Sequence, residues 1–270
     1  MNPLTLYGAQ GSGSIAVEAA LTLLGIPHAL VEGPTWFEEA ARERVAGSNP
    51  MRQVPTLVMP GGEVMTESAA ILIHLADTHP QARLAPAVTD PLRGQFLRWM
   101  VYVSSAIYAL HWIKPDVRRI GAPVERRDEV VDAVHDRIAF CWAGMDAQLR
   151  PGTYLLGDEL SVLDLYVTVV SRFGPWRTRF YEVAPRMTPV VRRVDADPRL
   201  HGDHAAGGER GFAGAAARHH GAARACRGRL HAGLTHSQPS SNGNRRAQNP
   251  ASRGCASTRR TTGVMRGATS

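Results

Sequence analysis

A chain of 270 residues with 44% hydrophobic and 20% charged side chains has the composition of a globular protein and room for one large domain or two ordinary ones. No apolar run reaches the roughly 18 residues of a membrane span, and the N-terminus lacks the basic-then-apolar pattern of a secretory signal. Three cysteines, none in a CxxC spacing, exclude a disulfide scaffold and fit a reducing, cytoplasmic setting.

The net charge of +7 belongs to the end of the chain. Residues 201–270 hold eleven Arg against Asp203 and Glu209 alone, whereas the first 200 residues hold 20 basic and 22 acidic groups, a net of −2. This last segment is rich in Ala, Gly, Arg and His and has five residues from Leu, Ile, Val, Met, Phe, Tyr and Trp. It cannot bury enough surface to offset its conformational entropy, so a disordered tail is expected. Phe212 is its single aromatic residue, too little for a base-stacking platform, so no nucleic-acid partner is expected.

Ahead of the tail the chain divides at about residue 78. Leu4–Tyr7 reads as a short buried strand, and Gly11-Ser12-Gly13-Ser14 leads into a helix, Ile15–Leu24, that stops at Gly25. Ala29–Val31 reads as a second strand and Trp36–Val45 as an amphipathic helix. Thr56–Met59 and Glu63–Met65 flank Pro60-Gly61-Gly62, a hairpin signal, and Glu67–Ala76 is helical again. The order is β-α-β-α-β-β-α over residues 1–78, followed by a linker at 79–91. From 92 to 200 only helices are expected: Leu92–Ile113, Val124–Leu149, Ser161–Phe173 and Pro189–Val194. Ser161 and Asp164 form a capping box at the start of the third of these.

Three local features carry the chemistry. The first is the loop Gly8–Ser14, where a strand, glycines and a helix start can hold an anion on backbone N–H groups. Its G-x-x-G-x-G spacing is not the dinucleotide G-x-G-x-x-G, and no second βαβ half follows. The second is Val54-Pro55 ahead of an apolar strand, where a cis peptide would turn the Val54 backbone toward an extended peptide ligand. The third is Glu67-Ser68 at a helix start, an acid and a hydroxyl suited to an α-ammonium and a carboxylate. No set of His residues has ligand spacing, and Cys141 reads as a packing residue inside a helix.

In this order, and on this α/β module followed by a helical one, the three features resemble the cytosolic glutathione S-transferase family. The stretches that carry the resemblance are LTLYGAQGSGSIAVEAALTLLGIP, NPMRQVPTLVMPGGEVMTESAAILIHLADTHP and YLLGDELSVLDLYVTVVSR, within residues 1–200. The resemblance implies a thioredoxin-like N-terminal domain, an all-helical C-terminal domain and a homodimer. It implies that Val54, with Gln53 and Pro55 beside it, pairs with the cysteinyl backbone of glutathione, and that Glu67 and Ser68 hold its γ-glutamyl end. The thiol would lie at the first loop, served by Ser12, or by Ser14 or Tyr7. Lowering a thiol pKa of about 8.5 by two units takes about 2.7 kcal/mol. One hydroxyl hydrogen bond to a thiolate, about 1.5–3 kcal/mol, with a helix N-terminus adding about 0.3–1, is enough without a metal or other cofactor. The implied activity is conjugation of glutathione to a small electrophile, or reduction of one. A catalytically silent interaction module and a glutathione-dependent isomerase or ether-cleaving enzyme share the pattern. An aromatic set, Trp99, Tyr102, Tyr108 and Trp112, is placed on packing or against the electrophile.

Overall fold

The computed structural model describes residues 3–35 and 39–200, all within one compact unit. The expected tail at 201–270, and Trp36–Glu38 at the start of the second predicted helix, lie outside the described residues.

Alternating apolar residues make the first strand, β1 (Leu4–Gly8), whose Leu4 and Leu6 are buried. Helix α1 (Ser14–Leu23) returns to strand β2 (His28–Glu32), which lies parallel to β1 from Leu4↔His28 to Gly8↔Glu32. After α2 (Glu39–Ala46), strands β3 (Thr56–Val58) and β4 (Val64–Thr66) form the expected hairpin, and α3 (Ser68–Thr78) closes the module. The sheet order is β2-β1-β3-β4, with β3 antiparallel to both neighbours. Mixed in direction and followed, among the described residues, by helices and no further strand, this is a thioredoxin-like domain.

The second part is helical, as expected. It comprises α4 (Arg93–Tyr102), α5 (Arg127–Gln148), α6 (Val162–Val170), α7 (Trp176–Val183) and α8 (Thr188–Asp195). Every residue of α6 is buried, so this mostly apolar helix runs through the centre, against α1 and α3 of the first part and α4 and α8 of the second. Its start is fixed by the capping box: Asp164 Oδ2 accepts from the Ser161 N–H (2.8 Å) and hydroxyl (2.7 Å), and Oδ1 from the Leu155 N–H (2.8 Å). Its end is tied to α8 through Asp195, which receives Arg172 at 2.6 Å and Arg177 at 2.5 Å. Trp99, Trp142, Tyr166, Phe96 and Phe180 are the largest fully buried side chains of the core. Cys141 is free and 1% exposed, the packing residue it was expected to be.

Two helices depart from expectation. Leu92–Ile113 is not one helix: after α4 the chain makes a π turn (Val103–Ile107) and then a 3-10 turn (Tyr108–Trp112). Ser105 bonds back to the Val101 carbonyl at 2.8 Å, a serine competition with the helical ladder that favours such a bend. Helix α7 had no expectation. Its sequence, WRTRFYEV, has three charges among aromatic residues and buries only Phe180, so no apolar stripe announces it.

Candidate functional site

Strand register sets the geometry of the site. Tyr7, at the end of β1, pairs with Thr56 at the start of β3, and Thr56 pairs with Thr66 at the end of β4. The residues just beyond these positions are the Gly8–Ser14 loop, the Val54-Pro55 turn and Glu67-Ser68. All three features thus come to one end of the sheet.

The loop is knotted on the backbone of Ala9. Ser12 Oγ donates to the Ala9 carbonyl at 2.8 Å, the Ala9 N–H donates to Ser14 Oγ at 3.0 Å, and the two serine oxygens lie 2.7 Å apart. Both serines are buried, at 3% and 2% exposure, with their hydroxyls turned into the loop. Gly8 has to be glycine, because a Cβ there would stand 2.8 Å from Ser14 Oγ. Gly11 takes a positive φ of 76°, which glycine adopts without strain. Tyr7 is partly buried, and its hydroxyl accepts a hydrogen bond from Ser48 Oγ at 3.4 Å.

The Val54–Pro55 peptide is cis. Pro55 is buried, Val54 partly buried and Gln53 exposed. The β3 ladder begins only at Thr56, which leaves the Val54 backbone outside the sheet pairing. Asn49 fixes this turn: 2% exposed, it donates from Nδ2 to the Gln53 carbonyl (3.1 Å) and to Thr56 Oγ1 (3.0 Å). Asn49 was not singled out from the sequence. It stands in the stretch NPMRQVPTL, but an Asn before a Pro reads first as a turn residue.

Glu67 has φ 66° and ψ 108°, a conformation an L-residue adopts only at a cost of order 1–3 kcal/mol. Its side chain is exposed at the head of α3, while Ser68 beside it is buried at 4% exposure. Ser68 Oγ donates to the Tyr166 hydroxyl of α6 at 3.1 Å.

Tyr108, whose place in the sequence fits packing or substrate contact, comes to the loop in the structure. Its hydroxyl accepts the Gly13 N–H at 2.7 Å. A Cβ on Gly13 would lie 2.8 Å from Tyr108 Cε1 and 3.0 Å from Ser68 Oγ, so loop, α3 and Tyr108 meet at this point. The rest of the aromatic set stays elsewhere: Trp99 is in the core, Tyr102 donates to the Cys141 carbonyl at 3.2 Å, and Trp112 is exposed with Arg119 over its ring.

Behind Tyr108 lie Phe173 and His111, with ring centroids at 5.5 and 6.0 Å. Burial pushes Tyr108 above its ordinary pKa, and pushes Tyr166 up to about 12, so both phenols keep their protons at neutral pH. Burial, with Lys114 and His135 nearby, pushes His111 down to about 2 and keeps it neutral. Lys114, pushed down to about 8 by burial, donates to the Gly174 carbonyl at 3.1 Å. Among the described residues no group of three or more His, Cys, Asp or Glu side chains is placed to share a metal ion, and no helix is long and apolar enough to cross a membrane.

Comparison with known proteins agrees with this architecture. Residues 6–83 match the model of the glutathione S-transferase N-terminal domain. An uncharacterized GST-like protein, YncG of Escherichia coli K12, is 30% identical over 200 residues, 73% of this chain and 95% of that protein. A glutathione transferase homologue from Sulfitobacter, solved with bound glutathione, superposes with a TM-score of 0.65 at 26% identity, covering 74% of this chain and 96% of that one. Elongation factor 1-gamma of Schizosaccharomyces pombe is 24% identical over 63% of this chain and 40% of its own length. The chain belongs to the glutathione S-transferase family.

Proposed function

We propose that the protein is a glutathione transferase, which binds glutathione at the end of the sheet and directs its thiolate at a small electrophile. The observation that carries this reading is the register Tyr7↔Thr56↔Thr66, which gathers the loop, the Val54 turn and Glu67-Ser68 at one place. In this reading the Val54 backbone pairs with the cysteinyl residue of glutathione as an added strand would, with Gln53 at its side and Pro55 shaping the turn. The exposed Glu67 carboxylate receives the α-ammonium of the γ-glutamyl residue. Ser68, at the N-terminus of α3, stands by its carboxylate, where the helix dipole also favours negative charge. The strained backbone of Glu67 supports its part, since strain of this kind gathers at ligand sites. The sulfur lies at the Gly11–Ser14 turn, and Ser12 and Ser14 give that turn its shape.

A homodimer in the cytoplasm completes the reading. Leu97, Val101 and Phe140 on α4 and α5 are large, apolar and exposed, as residues of a subunit contact would be in one chain alone. The free, buried Cys141 fits a reducing compartment.

The second reading is a catalytically silent module. It is favoured by one observation, that both loop serines spend their hydroxyls on Ala9. Conjugation of a general chromogenic electrophile separates the two: glutathione-dependent turnover supports the enzyme, and retention on immobilised glutathione with no turnover supports the silent module.

A further inference from the structure

We propose that the hydrogen-bond donor to the glutathione sulfur is the Tyr108 hydroxyl, and not a serine of the Gly11–Ser14 loop or Tyr7. The inference rests on the proposed glutathione site and names the group that acts there. Ser12 already donates to the Ala9 carbonyl at 2.8 Å, and Ser14 also faces that carbonyl, at 3.2 Å. Both hydroxyls are thus already engaged within the loop. The Tyr7 hydroxyl stands at Ser48.

Tyr108 is differently placed. Its oxygen accepts the Gly13 N–H at 2.7 Å, at the turn where the sulfur is expected, and among the described residues no acceptor takes its proton. A hydroxyl that accepts one strong hydrogen bond donates a stronger one, because the first polarises the O–H. The ring packs against Phe173, His111 and Tyr166, so the hydroxyl is aimed before any ligand arrives. The ionisable and polar groups that face it are Tyr166, Glu67, His111 and Ser68. Burial and the nearness of Tyr166 and Glu67 hold the phenol in its protonated form. It therefore shares its proton with the sulfur without giving it up, while the thiol proton leaves to water.

The backbone around Tyr108 fits this role. The residue ends the π turn and opens the 3-10 turn, the stretch where α4 stops being a regular helix. Irregular turns of this kind recur at functional sites because they re-aim one side chain.

The test is a pH titration of the thiolate absorbance of bound glutathione, on the full chain and on Tyr108→Phe and Ser12→Ala, after binding of each has been measured by calorimetry. Phenylalanine keeps the ring contacts and removes the hydroxyl, which is both the proposed donor and the acceptor of the Gly13 N–H, so the binding measurement shows first whether the loop still takes glutathione. The expected result is a bound-thiol pKa below that of free glutathione in the wild type, raised by about one unit in Tyr108→Phe. Ser12→Ala, which takes a hydrogen bond from the loop, should weaken binding and leave the pKa of the bound thiol depressed. Tyr108→Phe that binds glutathione with an unshifted thiol pKa overturns the proposal and leaves the glutathione site standing, as does loss of the shift in a folded Ser12→Ala. Wild-type protein that binds no glutathione removes both.

Discussion

The Ser68 hydroxyl donates to the Tyr166 hydroxyl at 3.1 Å, across 98 positions of the chain. One end of this bond is the proposed γ-glutamyl contact and the other is the central helix of the helical part. The proposed binding at α3 is thus built on a residue that also holds the two parts of the fold together.

Ser68→Ala removes the donor and leaves the buried Tyr166 hydroxyl without it. A loss of about 1–2 kcal/mol in unfolding free energy is expected. Glutathione affinity should fall as well. Urea unfolding and a glutathione titration on the same variant read the two effects separately. An effect on stability without one on affinity would assign Ser68 to the scaffold alone.

Gly13→Ala tests the meeting of loop, α3 and Tyr108. The backbone φ of Gly13 is −65°, so any cost comes from the Cβ, which would stand 2.8 Å from Tyr108 Cε1. We expect a stability loss of about 1–3 kcal/mol, typical of overpacking, together with weaker glutathione binding. A variant as stable and as avid as the wild type would mean that Tyr108 stands clear of the loop in solution.

Asp164→Ala strips three donors of their acceptor: the Leu155 N–H, the Ser161 N–H and the Ser161 hydroxyl. A loss of about 2–4 kcal/mol follows, beyond that of an exposed cap, because these groups are buried. Thermal unfolding of the variant checks it, and a shift no larger than that of a surface cap would contradict the role given to this box.

His111 gives stability a pH dependence of known sign. Its folded pKa is pushed from 6.5 down to about 2, mainly by burial, so the folded state disfavours the proton that the unfolded chain accepts. Its contribution is present above about pH 6.5 and is lost as pH falls below it, by up to about 1.4 kcal/mol per unit. Asp164 acts in the opposite sense: burial pushes its folded pKa up to about 6, so its contribution is present at low pH and lost as pH rises through that value. His111→Phe isolates the histidine, since Asp164 is common to both proteins. The wild-type stability relative to His111→Phe should decline from pH 6.5 downward, and a flat difference would mean that His111 is solvated.

Much of the first 78 residues was legible in the sequence because their signals are local. Gly25, Pro60-Gly61-Gly62 and the apolar runs between them mark elements within a residue or two of where they fall, as Thr56–Val58 and Val64–Thr66 show. Non-local facts were not legible. That Ser12 and Ser14 turn inward follows from the loop closing on Ala9, and that Tyr108 reaches Gly13 follows from a π turn 90 residues further along. Periodicity assumes one constant turn, so it cannot predict which way a side chain faces after the helix changes pitch. The positive φ of Glu67 has no composition signal either, since the residue type there is one that ordinarily avoids it.

Whether the end of the sheet binds glutathione is decided by titration calorimetry of the full chain with the tripeptide. Saturable binding of one tripeptide per chain is expected, weakened about tenfold or more, some 1.4 kcal/mol, by Glu67→Ala. Absence of binding by the folded wild-type chain, or binding that Glu67→Ala leaves untouched, would contradict it.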